Sequence, residues 1–199
     1  MIAILANEKQ WEELNISKLT SDYVRIYSFE KTPGQIDAFL VLDENVTVDI
    51  QNILHPVLIN SVTATLKEMN APASVVRLNG WNSFIARNTW EIAGTITETV
   101  QQVLNVLGKK IIPVPDEPGL ISARIIAMII NEAFFGFEDK ISSKQEIDIA
   151  MKLGTNFPYG PFEWASLIGP EKIYALLLHL SLSDSRYCPA ELLKKAATL

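Results

Sequence analysis

Residues 113–119 read PVPDEPG, with three prolines and one glycine in seven positions. Proline fixes φ and carries no amide hydrogen, so neither a helix nor a central strand runs through such a stretch. On its two sides the chain is written differently. Before it, short apolar runs alternate with polar, helix-compatible segments. After it, the apolar residues recur with helical spacing. The stretch therefore divides the chain into one domain at 1–115 and another at 116–199.

Upstream, Ile2–Leu5, Tyr23–Phe29, Ala38–Leu42, Val57–Ile59, Val75–Leu78 and Lys110–Val114 read as strands. Glu8–Leu14, Val48–Leu54 and Thr97–Leu107 read as helices between them. Strands alternating with helices predict a parallel, doubly wound α/β sheet. Downstream, Ile121, Ile125, Ile129, Ala133 and Phe137 fall four apart, and Ile126, Ile130 and Phe134 widen the stripe into a broad buried helix face. Ser143 with Glu146 forms a capping-box start, and Gly154 offers a stop. Pro161 and Pro170 each suit a first helical turn, and a last helix is predicted from about Pro189 to Ala197.

Composition narrows the function classes. The 199 residues are 48% hydrophobic and 20% charged, which predicts a folded core. Seventeen basic against 23 acidic residues give a net charge of −6, with no Lys/Arg cluster, so neither nucleic acid nor a membrane surface is an expected partner. The single cysteine, Cys188, has no internal disulfide partner and no Cys or His nearby at ligand spacing, so no metal site is expected. The opening apolar run is too short for a signal peptide, and Ile121 to Phe137 is broken by Arg124, Asn131 and Glu132. The expected setting is the cytoplasm.

Between Ser74 and Gly94 lies SVVRLNGWNSFIARNTWEIAG, where a β-branched run meets a concentration of amides, indoles and charge. Asn79, Asn82, Arg87 and Glu91 are the polar groups that a site there would use. A lone glutamate such as Glu91 at a strand end is more often a solvated or salt-bridged carboxylate than a catalyst. The two histidines, His55 and His179, read as core or surface residues.

EIDIAMKLGTNFPYGPFEWASLIG, residues 146–169, resembles the C-terminal domain of the 3-hydroxyacyl-CoA dehydrogenase family. There, a helix ending in A-M-x-x-G leads to an aromatic-proline turn, G-P-F-E and D-x-I-G. The resemblance reaches back to Pro118-Gly119-Leu120-Ile121 and Asn131-Glu132-Ala133, and forward to Tyr187-Cys188-Pro189 and Leu192-Leu193. Upstream, Leu78-Asn79-Gly80-Trp81-Asn82 is similar to the family's G-x-H-F-F-N-P. Thr89-Trp90-Glu91-Ile92 is similar to its L-V-E-V, and Asn60-Ser61-Val62-Thr63-Ala64 to its S-N-T-S. The resemblance implies a truncated Rossmann-like NAD-binding-type domain followed by an all-α domain that pairs as a homodimer.

In that family a histidine takes the proton from the substrate hydroxyl as hydride passes to NAD, a glutamate orients it, and a serine and an asparagine bind the substrate oxygen. Carried over residue by residue, the glutamate falls on Glu91. The histidine falls on Asn79, the serine on Ala64 (with Thr63 or Thr65 as alternatives), and the asparagine on Ala123, just before Arg124. An amide does not accept a proton near neutral pH. After the first predicted strand, Ala6-Asn7-Glu8-Lys9-Gln10-Trp11 contains no glycine, where a pyrophosphate needs close backbone approach. Glu30, after the second predicted strand, is the candidate for the ribose-binding acid.

The leading expectation is a family member with hydride transfer lost or severely reduced, with NAD implied as cofactor by the resemblance alone. Three alternatives stand beside it. One is a binder of an acyl-CoA-like small molecule, using Asn79, Asn82, Arg87 and Arg124. Another is a divergent active dehydrogenase with Glu91 as base, and the last is a structural partner of a full-length paralogue.

Overall fold

The computed structural model describes residues 1–15, 22–29 and 34–198. They form two compact units, Met1–Leu120 and Ile121–Leu199, with Asp116 and Glu117 in the first.

The first unit is a seven-stranded sheet. Its elements are β1 (Ile2–Leu5), α1 (Glu8–Leu14), β2 (Tyr23–Ile26), β3 (Ala38–Val41), β4 (Val57–Asn60), β5 (Val75–Leu78), β6 (Thr89–Ala93), α2 (Glu98–Val106) and β7 (Lys110–Pro113). The strand order is β2-β1-β3-β4-β5-β6-β7. Strands β1, β3 and β5 are buried at every position, as befits strands covered on both faces. One core layer joins Ile4, Leu40, Leu58 and Val76 to Leu14 of α1 and to Val100, Val103 and Leu104 of α2. The opposite layer joins Leu5, Phe39, Val41 and Val57 to Ile36 and Ile50.

Two features differ from the sequence reading. The sheet is parallel except that β6 runs antiparallel to β5 and parallel to β7. Residues 79–88 turn the chain back without a crossover helix, and only antiparallel neighbours can be joined that way. The expected helix at Val48–Leu54 is a set of turns. Asp49 Oδ1 accepts from Gln51 N at 3.3 Å and Asp49 Oδ2 from Asn52 Nδ2 at 2.7 Å, and Pro56 biases His55 away from helical geometry. Glu30 lies outside the described residues.

The second unit is helical: α3 (Ser122–Glu138), α4 (Lys144–Thr155), α5 (Pro161–Ile168), α6 (Pro170–Ser181), a 3₁₀ turn at Ser185–Tyr187 and α7 (Glu191–Ala196). The Ser143/Glu146 capping box opens α4, and prolines open α5 and α6. α4 runs past Gly154 and ends at Asn156, which takes the left-handed conformation at φ 56°. Two buried polar side chains hold the connections. Asn131 donates to Cys188 O at 2.9 Å and accepts from Ala190 N at 2.8 Å. Asp148 accepts from Phe162 N at 2.8 Å and Glu163 N at 3.2 Å, capping α5. Among the described residues no helix is long and apolar enough to cross a membrane.

Candidate ligand site at the carboxyl ends of the strands

In an open α/β sheet the strand carboxyl ends, especially where the strand order reverses, are the usual place for a ligand. Here the order reverses between β1 and β3. That crevice is bridged by protein. Leu42 N and Asp43 N both donate to Leu5 O, at 2.7 and 3.2 Å. Gln10, only 1% exposed, donates from Nε2 to Leu42 O at 2.7 Å and to Gly80 O at 3.4 Å. Its Oε1 accepts from Asn7 N while Asn7 Oδ1 accepts from Gln10 N, a reciprocal cap that fixes the side chain at the start of α1. Asn60, at the end of β4, completes the layer. Its Nδ2 donates to Leu42 O at 3.0 Å and its Oδ1 accepts from Gly80 N at 2.9 Å. Gly80 sits so close that a Cβ there would meet the Asn60 side chain at 2.6 Å.

The residues of the 74–94 stretch are placed around this layer. Asn79 is buried at the end of β5, and its Oδ1 accepts from Trp81 N at 3.2 Å. Glu91 lies in the middle of β6 rather than at a strand end. The antiparallel β5–β6 pairing ends at Leu78–Ile92, so Asn79 and Glu91 are the residues that adjoin its last pair. Asn82 donates to Glu13 Oε1 at 2.8 Å, and Ser83 N donates to Glu13 Oε2 at 2.8 Å, so the loop is tied to α1. Arg87 stacks on Phe84 at 4.1 Å. Burial lowers its pKa, against the raising effect of the Glu91 charge.

Several anchors escaped the sequence reading. Buried Lys109 donates to Ile85 O at 2.8 Å and Arg87 O at 3.1 Å, and burial lowers its pKa. Trp90 Nε1 also donates to Ile85 O. Arg77, fully buried in β5, donates to Ser61 O, Glu117 O and Asp116 Oδ1. A charged residue inside the apolar run Val75–Leu78 was the visible signal of an internal partner.

Ala64 lines an open cavity of about 330 Å³ at the carboxyl ends of β3 and β4, together with Asp43, Glu44, Asn60 and Thr63. The Thr65 hydroxyl is committed to Glu68 Oε2 at 2.9 Å, while Thr63 faces the cavity. Ala123 and Arg124 belong to the second unit. Ala123 is fully buried in α3, and the Arg124 guanidinium lies 6.0 Å from the Tyr187 ring centroid. His55 is exposed beside Phe39, and His179 lies on α6. Among the described residues no group of three His, Cys, Asp or Glu side chains is placed to hold a metal ion.

Residues 119–199 match the family model for the 3-hydroxyacyl-CoA dehydrogenase C-terminal domain. The 3-hydroxyadipyl-CoA dehydrogenase of Escherichia coli (strain K12) is 42% identical over 94 residues, 46% of this chain and 20% of that protein. A probable 3-hydroxybutyryl-CoA dehydrogenase of Bacillus subtilis (strain 168) is 30% identical over 142 residues, 67% of this chain and 50% of that protein. The matches thus span half or less of these relatives' lengths. Among solved structures, (S)-3-hydroxybutyryl-CoA dehydrogenase from Ralstonia eutropha superposes with a TM-score of 0.71 at 19% identity, covering 98% of this chain and 92% of that one. That similarity is one of fold.

Proposed function

Because the chain belongs to the 3-hydroxyacyl-CoA dehydrogenase family, an oxidoreductase family with a Rossmann-like fold, we propose that it is a dehydrogenase-like protein whose hydride transfer is lost or severely reduced. The observation that carries this reading is the Gln10 side chain, buried across the β1/β3 reversal and bonded to Leu42 O and Gly80 O. NAD is the cofactor the family implies, and its pyrophosphate needs open backbone at that place. A protein amide and two backbone bonds to Leu5 O occupy it instead, so the residues present do not fit the group.

The chemistry of the opposite strand pair agrees. Asn79 stands where a proton acceptor is required, and its amide cannot serve near neutral pH. With an amide at Asn79 in place of the family's histidine, Glu91 loses the imidazole that the resemblance implies it would orient. At the serine position the resemblance falls on Ala64, or on Thr63 beside it in the same cavity lining, and neither of them is a general base.

The cavity beside Ala64 favours a second reading, that the carboxyl edge of the sheet still binds a small molecule. The helical unit adds a proposal of its own. Ile149 and Leu153 of α4, and Leu178 and Leu182 at α6, are exposed apolar side chains four residues apart on their helices, and a second copy would cover them.

Titration with NADH, followed by fluorescence, and turnover of NADH with acetoacetyl-CoA, followed at the nicotinamide absorbance, test the leading reading. The expected result is no saturable binding and no turnover. Saturable turnover would overturn it.

A further inference from the structure

The Asp116 carboxylate fills an anion receptor built by other parts of the chain. Its Oδ1 accepts from Arg77 Nε at 2.5 Å and Leu66 N at 3.1 Å, and its Oδ2 accepts from Lys67 N at 3.3 Å. Arg77 is fully buried in β5, and its two Nη groups are bonded to Ser61 O at 2.9 Å and Glu117 O at 2.6 Å, so Nε is the group that meets the anion. One guanidinium and two amides around two oxygens suit a planar monoanion. A phosphate dianion would bring a second negative charge to a single bonded cation.

The segment that carries Asp116 is held differently from the sheet it lies on. No residue from 113 to 118 is buried. Beyond the carboxylate, its contacts are backbone bonds: Val114 N to Ile92 O at 3.0 Å, Arg77 Nη2 to Glu117 O, and Gly119 N to Val62 O at 2.7 Å. Pro113, Pro115 and Pro118 stiffen the segment, so that it lifts as one piece. An element with so little apolar burial opens at lower free energy than the core. When it lifts, Arg77 stays in β5 as a buried charge without its anion, a state that an entering anion relieves. The Asp116 side chain is 28% exposed, which gives the receptor a mouth to solvent.

We propose that residues 113–119 are a releasable strap, with Asp116 as the tethered ligand of a carboxylate receptor that a free small monocarboxylate takes when the strap lifts. The free carboxylate binds the released state alone and therefore shifts the population toward release. This goes beyond the loss of hydride transfer and does not depend on it.

Formate is the probe, with sodium chloride at equal ionic strength as the reference. In Asp116→Ala, formate is expected to shift the Leu66 and Lys67 amide resonances saturably and to raise the urea midpoint. At about ten times its Kd, the folded-to-unfolded ratio should rise about elevenfold over the reference. In Asp116→Asn, whose amide oxygen still accepts from Arg77, formate should shift neither resonance. In the parent protein the same concentration should multiply the released population, and with it the exchange rate of the Gly119 amide, by the same factor of about eleven. The amides within β5 should keep their rates. The parent measurement decides the matter alone if Asp116→Ala does not fold. Silent Leu66 and Lys67 amides in Asp116→Ala, a Gly119 rate that formate leaves unchanged, or phosphate acting as strongly as formate would each overturn the proposal.

Discussion

Arg77 Nε donates to Asp116 Oδ1 at 2.5 Å, joining the centre of the sheet to the segment that follows β7. The same guanidinium donates to Ser61 O and Glu117 O, and Asp116 also accepts from Leu66 N and Lys67 N. One ion pair therefore fixes three pieces of backbone around a fully buried arginine. Removing the acid of a buried pair costs about 3–5 kcal/mol. Because 28% of the Asp116 side chain remains exposed, Asp116→Ala is expected to lose about 2 kcal/mol in urea unfolding. Asp116→Asn, which can still accept from Arg77, should lose less. Burial pushes the Asp116 carboxyl up, but the Arg77 bond, the Leu66 amide, the Arg77 charge and the Lys67 amide outweigh it, so its pKa is lowered. This contribution is present above the ordinary carboxylate pKa of 3.8 and is lost as the pH falls below it.

Gln10 makes a second prediction, about the reversal point. Gln10→Ala removes the donor to Leu42 O and Gly80 O and should cost about 1–2 kcal/mol. Gln10→Glu should cost more at pH 7, since a buried carboxylate there faces carbonyl oxygens. Burial raises the folded pKa of such a group, so its penalty is greatest above that pKa and fades as acid restores a donating O–H. The gap between the two variants should therefore close on acidification, measured by urea midpoints across the pH range. A gap that stays constant would contradict the placement of the side chain.

Most of the sheet and the helical unit were legible because their signals are local. The Val75–Leu78 run, the Ser143/Glu146 box and the two opening prolines act over a few residues, and each appears where expected. The direction of β6 was not legible, since it depends on the absence of a crossover in 79–88, and Trp90 and Glu91 hide the strand in a polar stretch. Asn7 and Gln10 have capping-box spacing, which marks the start of α1. Nothing local reveals that the far end of Gln10 reaches Leu42, 32 residues away. Arg77 announces a buried partner, but Asp116 is 39 residues away. Asn79 and Glu91 could be named as candidates from the resemblance, and only the register shows that both adjoin the last β5–β6 pair, Leu78–Ile92.

At the start of α5, Gly160 is required by space. A Cβ there would meet the Asp148 side chain at 2.3 Å, and Asp148 holds the amides of Phe162 and Glu163. Gly160→Ala must displace that cap, and a loss of about 2 kcal/mol is expected from overpacking. Asp148→Asn keeps the volume and one acceptor, so it should lose about 1 kcal/mol. Thermal unfolding of the two variants checks the order, and an equal or reversed order would show that the close approach is not what matters.

The exposed apolar side chains of α4 and α6 predict association. Leu153, 83% exposed, and Leu182, 80% exposed, present apolar surface that a second copy would cover. Light scattering at micromolar concentration is expected to report a dimer, and Leu153→Glu with Leu182→Glu should shift it to the monomer while the far-UV spectrum is kept. A monomeric parent protein would refute the proposal.

Glu146 supplies a prediction that separates capping from packing. Its Oε2 accepts from Ser142 Oγ at 2.7 Å, Ser143 Oγ at 2.8 Å and Ser143 N at 3.1 Å. These three bonds, the hydroxyls of Ser142 and Ser143 foremost, lower its pKa from 4.5 to about 2. A depressed folded pKa means that the unfolded chain takes up the proton first. The stabilisation is therefore complete above pH 4.5 and is lost as the pH falls toward about 2. Glu146→Gln should lower the unfolding midpoint at pH 6, and its midpoint should approach that of the parent protein between pH 4.5 and about 2. Amide exchange at the first turn of α4 locates the effect, with faster exchange expected in the variant at pH 6 and matching rates at the acid end. Parallel pH profiles for the two proteins would show that the Glu146 carboxylate is not what holds the start of this helix.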